Sequence, residues 1–113
     1  MATLKTVQEK LNIKQLTKTA DENRAVSDAY VCDLLSWVMA KGEQDMAWIT
    51  VQTHLNVVAI AALKEFSCII VPEDIEVPAA SIAKAEEEGI TIFSSAMTAY
   101  QICRALSSLG VGA

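Results

Sequence analysis

The chain has 113 residues, 52% of them apolar, and a formal net charge of −5, with a pI near 4.7 and a mean hydropathy of +0.31. Such a length accommodates one domain, the apolar content excludes a disordered tail, and the acidic balance excludes a nucleic-acid-binding surface. A domain of this size buries only roughly 60–70% of its unfolded surface, so some apolar side chains are expected outside a monomer's core.

Near the start, Thr6-Val7-Gln8-Glu9 fits a capping box and predicts a short helix that turns Val7 and Leu11 inward and stops at Asn12. Ile13 to Thr17 alternates with period two and predicts a short strand. Thr19 to Arg24 is polar and reads as a loop, and Ala25 to Val31 has weaker strand character. Asp33 is placed to cap a helix from Leu34 to about Lys41, with Gly42 as its stop. Glu43 to Asp45 reads as a turn and Met46 to Val51 as a strand. Thr53 or Asn56 caps the next helix, which runs to about Phe66. Cys68 to Val71 is a compact strand followed by Pro72. Ala79 to Glu88 is a helix stopped by Gly89. Ile90 to Phe93 is a strand ending at Ser94 and Ser95, and Thr98 to about Leu109 is a helix stopped by Gly110. Strand and helix alternate with short connections, which predicts an α/β domain of right-handed βαβ units on a mostly parallel sheet of four to five strands. The strands are apolar on both sides, as a sheet covered on both faces requires.

No stretch approaches the ~18–20 apolar residues of a membrane helix. The first residues, Met1 to Lys5, lack the basic segment, apolar core and cleavage site of a signal peptide. Cys32, Cys68 and Cys103 lie about 35 residues apart with no CxxC spacing, which points to buried free thiols in a reducing cytoplasm. One histidine and scattered cysteines argue against a metal site, and no motif calls for a cofactor.

In open parallel sheets, ligands bind outside the carboxyl ends of the strands. The richest of these ends carries Thr50, Gln52, Thr53, His54 and Asn56 within seven positions. The amides of the helix that follows would favour an anion or a polar ligand there. Two plainer roles compete with binding: Thr53 or Asn56 as a cap, and His54 bonded to the backbone. A third role is acid–base chemistry by His54, for which no partner nucleophile stands beside it in sequence. Ser94 and Ser95, at another strand end, read as turn residues or as phosphate ligands. Glu73 and Asp74 read as solvated or as cation ligands. Glu86 to Glu88 read as a solvated helix face, and Trp37 and Trp48 as core or interface anchors. The absence of a Gly-rich phosphate loop argues against a kinase or a dehydrogenase.

The stretch from Val57 to Phe66 begins with seven residues that have no polar side chain. A helix apolar all round is buried on both sides, so Val57, Val58, Ile60, Ala61 and Ala62 are expected to form an interface between copies, a dimer being favoured.

Asp33-Leu34-Leu35-Ser36, then Trp48-Ile-Thr-Val-Gln-Thr-His54-Leu-Asn56-Val-Val-Ala-Ile60, then the short strand, the acidic helix and Gly89-Ile90 resemble the DRTGG domain family, in particular its small stand-alone members. The resemblance spans about Thr6 to Gly110 and is most specific from Ile49 to Ala59. It implies a three-layer α/β/α fold similar to the N-terminal domain of HPr kinase/phosphorylase. It also implies a non-catalytic regulatory or ligand-sensing role, as in domains found inside phosphotransacetylases and beside CBS domains. The literal Asp-Arg-Thr-Gly-Gly string is absent, and no catalytic residue is carried over. The reading is thus a cytoplasmic regulatory domain, acting as a homo-oligomer, that binds a small polar or phosphorylated metabolite or a partner protein. The alternatives are a pure protein–protein interaction module and a small enzyme using His54.

Overall fold

The computed structural model describes residues 1–18 and 21–112. Thr19, where the polar loop was expected to begin, lies outside the described residues. The first helix, α1 (Leu4–Leu11), buries Leu4, Val7 and Leu11 along one stripe. Its cap is Thr3, whose hydroxyl accepts the Thr6 amide at 3.3 Å. The helix therefore starts three residues before the capping box expected at Thr6 and Glu9, because Leu4 belongs to the buried stripe and draws the helix start back to it. Asn12 closes the helix in the left-handed region, which asparagine tolerates better than most residues.

Strand β1 (Lys14–Gln15) is shorter than the alternation predicts. Beyond it, the buried Thr17 offers its hydroxyl, not its carbonyl, to the Ile92 amide, and the ladder ends. Strand β2 is confined to Asp28–Val31. The residues before it wrap the start of α1, with the Val26 amide donating to the Ala2 carbonyl. Then follow α2 (Leu35–Lys41), β3 (Met46–Ile49), α3 (Leu55–Leu63), β4 (Cys68–Val71), α4 (Ala79–Glu88), β5 (Thr91–Ser94) and α5 (Ala99–Ser108). The last helix carries a complete capping box between Thr98 and Gln101.

The strands form one sheet in the order β1-β5-β4-β3-β2. β2 to β5 run parallel, and β1 joins the β5 edge antiparallel, Lys14 opposite Ser94. Each parallel strand thus neighbours the next in sequence. Right-handed crossovers between such neighbours place their helices on one face. One core accordingly joins Val38 of α2, Val57, Val58 and Ala61 of α3, and Ala85 of α4 to Trp48, Ile69 and Ile92. The opposite core joins Leu4, Val7 and Leu11 of α1 and Ile102 and Leu106 of α5 to Ile49, Ile70 and Phe93. The result is a three-layer α/β/α fold with a mostly parallel sheet. The period of two is visible within single strands: Trp48 faces one helix layer and Ile49 the other.

Trp48 is fully buried. Its ring meets Phe66 edge-on at 5.7 Å, and its indole N–H donates to the Cys32 carbonyl at 2.8 Å. Gly42 ends α2 in extended backbone, at a point where no side chain fits. A methyl group there would enter the Phe66 ring and lie 2.9 Å from the Val38 carbonyl. No helix among the described residues is long and apolar enough to cross a membrane.

Candidate functional site at the carboxyl ends of the strands

β2 and β3 end side by side, and Asp33 ties the two ends together. The exposed Asp33 carboxylate accepts the Thr50 hydroxyl at 2.8 Å and the Val51 amide at 3.0 Å. The Thr50 oxygen in turn accepts the Gln52 amide at 3.1 Å, and the Gln52 side chain donates to the Asp33 carbonyl at 3.4 Å. Asp33 therefore does not cap α2, whose cap residue, Leu34, makes no side-chain bond. Its carboxylate serves β3 instead. The sequence holds a signal for this: an acid two residues past one strand, matched by a threonine just past the next.

The turn that follows leads into α3. The Thr53 carbonyl accepts the Ser81 hydroxyl of α4 at 2.6 Å. The cap of α3 is His54, not Thr53 or Asn56, and its Nδ1 accepts the Asn56 amide at 3.2 Å. A cap made this way needs a neutral imidazole with its proton on Nε2. Thr50 is buried, while Gln52, His54 and Asn56 are exposed at the rim.

Beneath Gln52, Thr53 and His54 lies a void of only about 10 Å³ walled by apolar side chains such as Val58, Ile69 and Val71. It has room for one water at most. A larger concavity opens to the side, between α2 and α3. This groove of about 350 Å³ is lined by Leu35, Ser36, Met39, Asn56, Ala59 and Ile60. Asn56 alone of the expected ligand-binding residues reaches it.

Ser94 and Ser95 line neither concavity. Ser94 stands in the β1–β5 register. Ser95 is buried and its hydroxyl accepts the Met97 amide at 3.0 Å. Glu73 and Asp74 are exposed and both take positive φ. Their amides donate to Met97 and Ser95 carbonyls, stitching two loops together. Among the described residues, no three His, Cys, Asp or Glu side chains group closely enough to hold a metal ion.

The helix expected to bury all its sides is partly open. Val57, Val58 and Ala61 are buried, and they face the molecule's own sheet. They are unavailable as an interface between copies, and Ile60 and Ala62 are half-buried. The exposed residues of α3 are Leu55, Asn56, Ala59 and Leu63. Of the two tryptophans, Trp48 is core, while Trp37 is 51% exposed, with the Lys41 ammonium 5.4 Å above its ring. The cysteines are free thiols, but only Cys68 is fully buried. Burial pushes its thiol up to about 12, although Arg24 nearby pulls the other way.

No family model matches the chain. No curated protein matches it. Among solved structures, it is similar to the CBS and DRTGG domains of the regulatory region of a Clostridium perfringens pyrophosphatase, complexed with the activator diadenosine tetraphosphate. The TM-score is 0.77 at 12% identity, over 92% of this chain and 45% of that one. The likeness is one of fold. The chain spans under half the length of that neighbour.

Proposed function

We propose that this chain is a DRTGG-like regulatory domain, a single non-catalytic unit of the cytoplasm that acts as a homo-oligomer, with a dimer favoured. Its ligand is a small polar or phosphorylated metabolite. The ligand sits against Gln52, His54 and Asn56, where the turn opens toward the α2–α3 groove. One observation carries this reading: the Asp33 carboxylate, bonded to Thr50 and Val51, ties down the turn around which those three side chains stand exposed. The nucleotide activator of the pyrophosphatase neighbour supports a phosphorylated ligand.

Titration calorimetry with a panel of nucleotides and phosphometabolites tests the reading. At least one should bind wild type and lose affinity in Asn56→Ala. A panel without any heat of binding would overturn the ligand claim.

A second reading, a protein interaction module, is favoured by Leu34 and Trp37, which are 62% and 51% exposed at the start of α2. Pull-down from native extract, compared with Trp37→Ala, separates it from the first. Enzymatic use of His54 is the weakest reading, since its Nδ1 is engaged with the Asn56 amide. Any turnover that survives in His54→Ala would remove it.

A further inference from the structure

Only two residues of α4 are buried, Ser81 and Ala85, one turn apart. Ser81 keeps 2% of its surface, so α4 carries a hydroxyl into its core layer. The side chains around it, at the void beneath the turn, are apolar, among them Val58, Ile69 and Val71. A hydroxyl taken out of water in such surroundings is costly unless it is bonded. A serine inside a helix often meets that need by turning back to the carbonyl four residues before it. Ser81 instead reaches out of its helix and donates to the Thr53 carbonyl, 28 residues away in sequence.

That bond falls where the chain has no ladder to hold it, since residues 51–54 belong to no helix or strand. Asp33 holds the near end of this turn through the Val51 amide, and Ser81 holds the far end through Thr53. The two ties differ in kind. The Asp33 carboxylate is exposed, so water competes for it. The Ser81 hydroxyl lies among apolar side chains, where a hydrogen bond is electrostatically stronger. A peptide unit is planar, so fixing the Thr53 carbonyl also fixes the plane from which His54 departs. From there the His54 ring brings Nδ1 to 3.2 Å from the Asn56 amide.

We infer that Ser81 is a positioning residue for the proposed binding rim. Through the Thr53 peptide it sets the places of His54 and Asn56, while Asp33, bonded to the Gln52 side chain through its carbonyl, sets that of Gln52. The inference rests on the rim being the binding surface, as proposed above, and brings α4 into the construction of that surface. Ser81 itself touches no ligand, because it is buried beneath the turn.

His54 is the only histidine in the chain, so its ring protons give an isolated signal in a proton NMR spectrum of the full chain. Ser81→Ala should shift or broaden that signal. It should also speed hydrogen exchange of the Asn56 and Val57 amides by about tenfold, with the amides of β4 unchanged. Ser81→Thr keeps the hydroxyl and should return both readouts toward wild type. A His54 signal that stays in place in Ser81→Ala overturns the inference. So does exchange that rises equally at Asn56 and in β4, which marks a residue that only stabilises the fold. These spectra need no added compound, so they decide the role of Ser81 apart from the ligand reading. That reading is tested by titrating wild type with the nucleotides and phosphometabolites of the calorimetric panel. A His54 signal unmoved by all of them overturns it, and any compound that binds should bind Ser81→Ala about tenfold more weakly and Ser81→Thr as wild type.

Discussion

The two ends of the parallel strands are built on opposite plans. At the amino ends, polar groups are spent on the backbone. Arg24 reaches the Asp45 carboxylate and the Glu65 carbonyl, and the Ser67 hydroxyl meets the Ala25 and Asp45 carbonyls. Asp45 and Glu65 take positive φ there, and Phe66 seals the layer beneath. At the carboxyl ends, one exposed acid fixes a turn that leaves Gln52, His54 and Asn56 at the surface. The difference separates the part of the molecule that holds the sheet closed from the part with polar side chains left at the surface, where we propose the ligand sits.

Substitutions at each end put this contrast at risk. The largest effect is expected from Phe66→Ala, which empties a fully buried aromatic site and should cost about 3–5 kcal/mol in denaturant unfolding. Ligand affinity of the remaining folded protein should be unchanged. A selective loss of affinity would break the contrast.

Cys68 gives a pH-dependent test of the amino end. Its thiol, ordinarily near 9.0, is raised to about 12 in the fold. The unfolded chain therefore releases this proton first. The stabilisation is fully present below pH 9 and is lost as pH climbs toward 12. Melting temperatures should fall over that window, and Cys68→Ala should flatten the slope. An unchanged slope would show that the thiol does not contribute.

Asp33→Ala should cost about 1–3 kcal/mol, because the Thr50 hydroxyl and the Val51 amide lose their acceptor. It should also weaken ligand binding, since the turn loosens. Asn56→Ala should move stability by no more than ~0.5 kcal/mol, as a surface change does, while reducing ligand affinity about tenfold or more in calorimetry. Equal losses of stability and affinity in Asn56→Ala would make it a structural residue and blur the two plans.

Much of the fold is legible in the sequence, and the reason is local. Cys68 to Val71 is a strand in both readings because four buried apolar residues end at Pro72. Gly89 and Gly110 mark helix ends because both take positive φ. The carboxyl-end site is less legible. Thr53, His54 and Asn56 are all competent to start α3, and the turn before it is tied to Asp33, a residue beyond the end of another strand. Asp33 itself precedes an apolar run and so resembles a cap in isolation. Val57, Val58 and Ala61 are apolar like Leu55 and Leu63, and composition cannot say which of them meets the sheet. That distinction comes only from the rotation of α3 between its two neighbours.

The strand order also sets a timetable for assembly. Each parallel strand pairs with the one made just before it, so β2 to β5 close short loops as they emerge, and such contacts form fast. Lys14 and Gln15 instead wait for Phe93 and Ser94, some two-thirds of the chain later. Leu4, Val7 and Leu11 share a core with Ile49, Ile70 and Phe93, which stays incomplete until Phe93 is made. Of the five strands, the one that comes first in the sequence is thus the last to find its neighbour.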